Sequence, residues 1–236
     1  METHRENAHP AGIQPVRIAV DGVSLEGDLA IPPGARGIVL FAHGSGSSRL
    51  SARNQRVAAD LREAGLATLL MDLLTAKEEA VDMYTRHLRF NIGLLAGRVV
   101  GALDWVAANQ ETRSLSIGLF GASTGAAAAL VSAAERPDLV DAVVSRGGRP
   151  DLADAALEQV QAPTLLIVGG ADDVVIELNR EAFARLKCEK QLEIVPGATH
   201  LFEEPGTLEE VGRLAADWFS RHLVRQRENQ VFRSRR

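Results

Sequence analysis

The sequence predicts an α/β protein whose mostly parallel central sheet carries helices on both faces. Three observations predict this class. From residue 37 onward, short apolar runs alternate with longer stretches of helical period, as in units where a helix follows each buried parallel strand. Polar or glycine-rich residues follow each apolar run, which is typical of the loops after strands. Apolar residues make up 46% of the chain, which is enough for a sizeable core.

The first predicted element is an antiparallel hairpin. Apolar and polar residues alternate in Val16–Val20 and Leu25–Ala30 around the turn pair Asp21-Gly22. The hairpin ends before two prolines and a glycine at residues 32–34. Six buried strands are predicted after it, namely Gly37–Ala42, Ala67–Met71, Leu115–Phe120, Val140–Ser145, Thr164–Val168 and Leu192–Val195.

Five helices are predicted between and after these strands, where they would cover the sheet. They are Ala52–Ala64, Ile92–Asn109, Thr124–Glu135, Leu178–Leu186 and Leu208–His222. The segment Leu73–Arg89 mixes charged and apolar residues without a clear period. It is therefore predicted as a loop or a short helix near the functional site.

One domain is predicted over residues 15–223, after a flexible leader at 1–14 and before a basic tail at 224–236. A chain of 236 residues can hold one domain or two small ones, and the order of the motifs described below favours one. No function is assigned to the tail, because charged chain ends are usually solvated.

Charge and cysteine content exclude several classes of partner and site. The formal net charge of −5 provides no long-range attraction for nucleic acid or anionic lipid. The single cysteine, Cys188, excludes an intrachain disulfide and a cysteine-rich zinc site. The first residues resemble no signal peptide, and no run of eighteen apolar residues occurs. We therefore expect a cytoplasmic protein with no nucleic-acid or membrane partner, and its oligomeric state is left open.

The strongest chemical motif is Gly121-Ala122-Ser123-Thr124-Gly125, which matches G-x-S-x-G between an apolar strand and a helical stretch. A sharp strand-to-helix turn needs small flanking residues, because its backbone is strained and its neighbours lie close. The turn would expose the Ser123 hydroxyl at a helix N-terminus, where developing negative charge is stabilised. Ser123 is the predicted nucleophile.

A serine nucleophile needs a base and a third group that orients the base. Two carboxylates, Asp172 and Asp173, follow the predicted strand Thr164–Val168. Either could orient a histidine, and either could instead cap the helix that follows. His200 lies in a turn before the last helix, and it is the best placed of the six histidines to act as the base.

The loop after the first buried strand predicts the oxyanion site. Residues 43–46 read His-Gly-Ser-Gly, an H-G-x-G type loop that offers a backbone N–H to a tetrahedral intermediate. The N–H groups of Ser45 and Thr124 are the predicted donors. A phosphate-binding glycine loop is the alternative, but the spacing fits neither the Walker nor the dinucleotide motif and no lysine follows. His43 is expected to brace this loop rather than act as a base.

From Gly37 through Phe219 the motifs occur in the order found in the α/β-hydrolase superfamily, which the chain resembles. The stretches Ser145–Asp151 and Gly197–His200 are similar to the dienelactone-hydrolase-like branch. The resemblance implies an α/β-hydrolase fold, and its G-x-x-D-x-x-V spacing after Gly169 selects Asp172 as the acid. Dienelactone hydrolases carry cysteine where this chain has Ser123, which favours a more general esterase activity. Too few residues separate Arg146 from Thr164 for a lid domain.

Four arginines lie near the predicted site. Arg49 and Arg53 follow the oxyanion loop, while Arg146 and Arg149 follow a strand at its carboxyl end. Guanidinium groups bind carboxylates bidentately, so Arg49, Arg53 and Arg146 are predicted to bind an acidic substrate. The alternative is that these arginines pair with nearby carboxylates, such as those of residues 72 and 151, and hold loops in place.

These observations predict a serine hydrolase that cleaves a small-molecule carboxylic ester or lactone through an acyl-enzyme intermediate, with Ser123, His200 and Asp172 as nucleophile, base and acid. No metal ion or organic cofactor is required. Acyl transfer or perhydrolysis by the same three residues is one alternative. A non-catalytic protein that only binds a ligand is another.

Overall fold

The computed structural model describes residues 12–223. They form an eight-stranded sheet in the order β1-β2-β4-β3-β5-β6-β7-β8. β1 and β2 form the antiparallel hairpin, β2 pairs antiparallel with β4, and all other neighbours are parallel. The strands are β1 Ile13–Val20, β2 Val23–Ala30, β3 Gly37–Ala42, β4 Ala67–Met71, β5 Ser116–Ala122, β6 Val140–Arg146, β7 Thr164–Gly169 and β8 Lys190–Val195.

Helices cover both faces of the sheet. They are α1 Ala52–Glu63, α2 Ala76–Thr85, α3 Ile92–Ala108, α4 Thr124–Glu135, α5 Asp173–Arg185 and α6 Thr207–His222. The apolar residues of α3 and α4 pack into one core cluster, and those of α1 and α6 pack into a second cluster on the opposite face. This confirms the predicted α/β class with helices on both faces.

The segment predicted as uncertain, Leu73–Arg89, contains α2 and a 3-10 turn, Leu88–Phe90. Thr75 and Glu78 form a capping box at the start of α2, which satisfies otherwise free backbone groups. The buried residue of α2 is Asp82, whose carboxylate accepts bonds from the backbone N–H groups of Leu88 and Arg89. The helix was not clear from the sequence because it buries a carboxylate instead of an apolar stripe.

Three predicted boundaries need correction. β1 begins at Ile13, inside the predicted leader, and includes Pro15, which an edge strand tolerates because one side of its backbone needs no partner. α5 begins at Asp173 rather than Leu178, because Val175 and Ile176 already bury one helical face. β8 begins at Lys190 and is mostly half-buried, not buried as predicted, because it is the other edge strand.

The connection between β6 and β7 contains only a short 3-10 segment, Pro150–Gln159, so the fold has no lid domain there. Within residues 12–223, none of the helices is both long and apolar enough to cross a membrane. The predicted basic tail at 224–236 lies outside the described residues, as does the leader up to residue 11.

Candidate active site

Ser123 lies at the sharp turn between β5 and α4. Its φ of 51° and ψ of −123° are unusual for a residue with a side chain, and such strain often occurs at functional sites. The flanking glycines are required by close backbone contacts. A Cβ at Gly121 would lie 2.4 Å from Ala126 Cα, and a Cβ at Gly125 would lie 2.1 Å from the carbonyl oxygen of Ala42.

Two turns that are distant in sequence meet at the carboxyl ends of β7 and β8. The N–H of Ala171 donates to the carbonyl of Ala198 across 2.9 Å. A Cβ at Gly169 would lie 2.4 Å from that same carbonyl oxygen, so the approach requires glycine. The turn after β7 carries Asp172, and the turn after β8 carries His200, so this packing brings the two side chains together.

Asp172 and His200 form a hydrogen bond of 2.7 Å between Oδ2 and Nδ1. Asp172 occupies the N-cap position of α5 but makes no side-chain capping bond, so its carboxylate is directed to the histidine. The neighbouring Asp173 is exposed and begins the helix. Of the two carboxylates that the sequence offered, the structure places Asp172 against His200.

Glu204 holds the turn that carries His200. Its carboxylate accepts bonds from the Thr199 backbone N–H at 3.0 Å and from the Thr199 hydroxyl at 2.7 Å. These bonds hold the pKa of Glu204 below its ordinary value, and the bond from the Thr199 hydroxyl has the largest effect. Phe202, buried with a φ of 55°, completes the turn. The backbone on either side of His200 is therefore restrained.

A cavity of about 260 Å³ opens beside Ser123. Most of the predicted site residues line it, namely Ser45, Arg53, Ser123, Arg146 and His200. The loop after β3 packs directly on the Ser123 turn, since a Cβ at Gly44 would lie 3.0 Å from Ser123 Cβ. Asp172 stands behind His200, on the Nδ1 side of its ring.

His43 braces the loop after β3 with both ring nitrogens. Nε2 accepts a bond of 3.0 Å from the backbone N–H of Leu73, and Nδ1 lies 2.9 Å from the carbonyl oxygen of Gly44. Because Nε2 is the acceptor, the proton must be on Nδ1, which then donates to Gly44. Burial lowers the pKa of His43 and favours this neutral form.

The predicted oxyanion donors differ in their availability. The N–H of Ser45 donates to the Thr124 hydroxyl across 2.9 Å, so this donor already has an acceptor. The Thr124 N–H belongs to the first residue of α4, where backbone donors have no acceptor within the helix. It therefore lies at the positive end of the helix, next to Ser123.

Arg146 is a buried cation without a carboxylate partner among the described residues. Its side chain lines the cavity, and the residue is only 8% exposed. Nε and Nη1 have no hydrogen-bond partner. Burial first, and then the nearby charge of Arg53, lowers the pKa of Arg146 to about 10. Arg53 itself donates to Glu203 across 3.1 Å at the protein surface.

Of the three arginines predicted to bind substrate, Arg49 is the one that does not line this cavity. Its guanidinium pairs with Asp72, and its Nε lies 3.5 Å from Asp28. Arg149 likewise pairs with Asp151 at 2.7 Å. For these two arginines the alternative prediction describes the structure, because the guanidinium of each is paired with a nearby carboxylate.

Asn54 is a site residue that the sequence analysis missed. It is 2% exposed, it lines the cavity, and its Oδ1 has no hydrogen-bond partner. A signal was present in the sequence, because Asn54 shares the buried face of α1 with Val57, Ala58 and Leu61. An amide on an otherwise apolar helical stripe indicates a polar function on that face.

Comparisons with known proteins identify the family of this chain. The sequence model of the dienelactone hydrolase family matches residues 25–224. A dienelactone hydrolase from Anabaena variabilis is 61% identical, with a TM-score of 0.88 over 90% of this chain and 99% of that one. XC6422 from Xanthomonas campestris, described as an a/b serine hydrolase without lid, has a TM-score of 0.71 over 91% of this chain and 97% of its own, at 20% identity.

Curated relatives add a different name. Two proteins from strains of Mycobacterium tuberculosis, each called "Putative phosphoribosyl transferase", are 56% identical over 214 residues. The match covers 91% of this chain but 47% of each relative. The chain therefore spans about half the length of the curated relatives it matches.

Proposed function

This chain belongs to the dienelactone hydrolase family, and from that premise we propose that it is a serine hydrolase that cleaves small carboxylic esters or lactones. One observation carries the proposal. Asp172 binds Nδ1 of His200 at 2.7 Å, and His200 lines the same cavity as Ser123, the residue at the strained turn. A nucleophile, a base and an orienting acid at one site are the groups that acyl transfer to water requires.

In the proposed mechanism, His200 removes the proton from the Ser123 hydroxyl while that oxygen attacks the ester carbonyl. Asp172 occupies Nδ1, so Nε2 is the nitrogen that exchanges the proton. The protonated His200 then donates to the leaving oxygen, and an acyl-enzyme forms on Ser123. Water, deprotonated by the same histidine, releases the acid.

The negative oxygen of the tetrahedral intermediate would bind the N–H groups of Thr124 and Ser45. The first lies at the start of α4 and has no acceptor within the helix. The second donates to the Thr124 hydroxyl, and in the proposal the oxyanion replaces that hydroxyl as the acceptor. A charged acceptor forms the stronger bond, so the exchange favours the intermediate.

We further propose that Arg146, assisted by Arg53, binds a carboxylate or another anionic group of the substrate. Two unpartnered donors on a buried guanidinium support this, because leaving them unsatisfied is costly. A bond to a charged group contributes about 1.5–3 kcal/mol. Arg146→Ala should therefore lower kcat/KM for an acidic ester about 10- to 150-fold more than for its neutral analogue.

Arg149→Ala is the matched control for that comparison. Because Arg149 pairs with Asp151 outside the cavity, its loss should affect acidic and neutral esters equally. Equal losses for both esters in Arg146→Ala would contradict the anion-binding role and leave the hydrolase proposal intact.

The central experiment measures hydrolysis of p-nitrophenyl acetate and butyrate by wild type and Ser123→Ala, together with mass spectrometry after a fluorophosphonate probe. We expect turnover by wild type, loss of turnover in the variant, and one covalent adduct on Ser123. Wild type that neither hydrolyses these esters nor takes the label would overturn the proposal and favour a protein that only binds a ligand.

The same residues would also support transfer of the acyl group to an alcohol or to hydrogen peroxide. Product analysis with each acceptor added would distinguish these reactions from hydrolysis. The name of the curated relatives belongs to proteins about twice as long as the matched region. We base the proposal for this chain on Ser123, Asp172 and His200, which are groups for acyl chemistry and not for phosphoribosyl transfer.

A further inference from the structure

A second, larger cavity adjoins the one that contains Ser123. Its volume is about 810 Å³, within the range of about 300–1,000 Å³ typical of small-molecule sites. Ser47, Ser51 and Arg53 line both cavities, so the two adjoin at the loop after β3 and the start of α1. We call the larger cavity the side cleft, and the proposal below requires a substrate whose carbonyl lies at Ser123 to extend into it.

Most residues that line the side cleft are polar or charged, and carbon atoms of these and of four apolar residues are exposed between the polar groups. Four serines and one threonine contribute hydroxyl groups. Charged groups of the two signs are equal in number, with three cations (Arg49, Arg53 and Lys77) and three acids (Glu26, Asp72 and Glu79). Among the described residues, Lys77 and Glu79 form no ion pair, so both remain available to a ligand.

This lining selects the chemistry of a ligand. An alkyl or aryl group could cover the exposed carbon atoms, but it would leave the hydroxyl and charged groups without the hydrogen bonds that water made, which is unfavourable. A strongly anionic group would find as many carboxylates as cations. A neutral group rich in hydroxyls donates to the carboxylates and accepts from the guanidinium, ammonium and serine hydroxyl groups, so it restores the bonds that water made.

The position of His200 indicates which part of the ester enters the side cleft. His200 must reach the leaving oxygen to protonate it, so the alcohol portion stays near His200. His200 lines the smaller cavity and is not part of the side-cleft lining. The acyl group, which stays on Ser123 after the alcohol has left, is therefore the portion assigned to the side cleft.

We propose that the side cleft binds a neutral, polyhydroxylated acyl group of the substrate ester. This inference rests on the proposed serine-hydrolase function and adds a substrate class to it. It is independent of the anionic group proposed for Arg146, which lines the smaller cavity.

The test compares methyl quinate with methyl cyclohexanecarboxylate. The two esters share the leaving group and the six-membered ring and differ in ring hydroxyls. Each kcat/KM is divided by the rate constant for alkaline hydrolysis of the same ester, which removes the electronic effect of the hydroxyls. With two or three additional hydrogen bonds, we expect wild type to prefer methyl quinate about tenfold or more.

Lys77→Trp fills the side cleft from the first turn of α2. Lys77 is exposed, so the substitution should not disturb the core, and it should reduce the preference for methyl quinate to near unity. Ser48→Trp fills the cleft from the loop after β3 and serves as the second variant if the first does not fold. Ser114→Trp, at an exposed position before β5 and at the other end of that strand from Ser123, is the control and should keep the wild-type preference.

Equal normalised kcat/KM values for the two esters in wild type would overturn the proposal. So would a preference that persists in both Lys77→Trp and Ser48→Trp. Hydrolysis of p-nitrophenyl acetate that depends on Ser123, measured in parallel, separates these outcomes from failure of the hydrolase proposal itself.

Discussion

At the scale of single residues, the site depends on which polar atoms form hydrogen bonds with each other. Asp172 and Asp173 are adjacent and chemically identical, yet Asp172 lies 2.7 Å from His200 while Asp173 is exposed at the start of α5. The bond to Nδ1 selects the tautomer whose Nε2 can accept a proton. Two neighbouring carboxylates should therefore have very different effects on activity.

The first prediction compares Asp172→Asn with Asp173→Asn. An amide can donate to Nδ1 and so stabilise the wrong tautomer of His200, which lowers kcat by about 10⁴-fold in an equivalent arrangement. Asp173→Asn should leave kcat at the wild-type value. The measurement is ester hydrolysis at saturating substrate, with circular dichroism to verify folding. Similar losses in both variants would show that the carboxylates act through structure alone.

His43 carries the second prediction, which concerns pH and stability. Burial lowers the pKa of His43 below 6.5 in the folded protein, and the neutral ring accepts the Leu73 N–H. The unfolded chain binds the proton more readily, so this contribution is complete above pH 6.5 and decreases as the pH falls from there through the folded pKa. The folded protein should lose stability across that interval.

The measurement is the free energy of urea unfolding between pH 7.5 and 5 for wild type and His43→Gln. Wild type should lose stability more steeply than the variant as the pH falls. His222, whose pKa is also lowered by burial, is present in both proteins and cancels in the comparison. Parallel pH dependences would refute the assigned role of His43.

At the scale of elements, the turn between β5 and α4 depends on close backbone packing. The helix begins one residue after Ser123, and Gly125 lies directly against the end of β3. The contact allows the loop after β3 to approach Ser123, because no side chain separates them. Larger residues would move α4 and the Ser123 turn together.

The third prediction compares two glycine-to-alanine substitutions. In Gly125→Ala the new Cβ would lie 2.1 Å from the Ala42 carbonyl oxygen, so the variant should lose about 1–3 kcal/mol of stability and most of its esterase activity. Gly93→Ala, in the first turn of α3, has no such atom closer than 3.6 Å. That variant should gain up to about 1 kcal/mol. Urea unfolding and ester hydrolysis measure both effects, and equal stabilities would contradict the argument.

At the scale of the whole molecule, α6 packs against the middle of the sheet, on β6 and β7. Phe219 is fully buried, and a Cβ at Gly118 in the central strand β5 would lie 2.6 Å from its ring. The same helix also packs on α1, which carries Asn54 and Arg53 of the site. The apolar core on this face of the sheet therefore supports the helix that carries these two cavity-lining residues.

The fourth prediction is that Phe219→Ala destabilises the protein by about 3–5 kcal/mol, because it removes a large side chain from a core that can collapse only in part. Phe90, which is 55% exposed, provides the control, and Phe90→Ala should change stability by less than about 0.5 kcal/mol. Urea unfolding followed by tryptophan fluorescence measures both. A similar small loss in both variants would argue against the central role of α6.

The sequence by itself determined the fold class, most strands and helices, and the Ser123 turn. These features depend on local patterns: apolar runs bury strands, helical period places apolar faces, and glycines allow close backbone contacts within a few residues of Ser123. The α2 helix could not be predicted in this way. Its buried group is the carboxylate of Asp82, and a periodic pattern of apolar residues does not reveal a buried carboxylate.

Only the tertiary structure decided which polar groups meet. Asp172 and His200 are 28 residues apart, Arg49 pairs with Asp72 instead of lining the cavity beside Ser123, and Arg146 has no carboxylate to pair with among the described residues. The partner of a charged side chain depends on how distant turns pack. The close approach of Gly169 to Ala198, which leaves no room for a Cβ, is one such packing contact. The spacing of residues along the sequence does not give the distances between them in the folded protein. The sequence therefore identified the candidate residues, and the tertiary structure determined which of them meet.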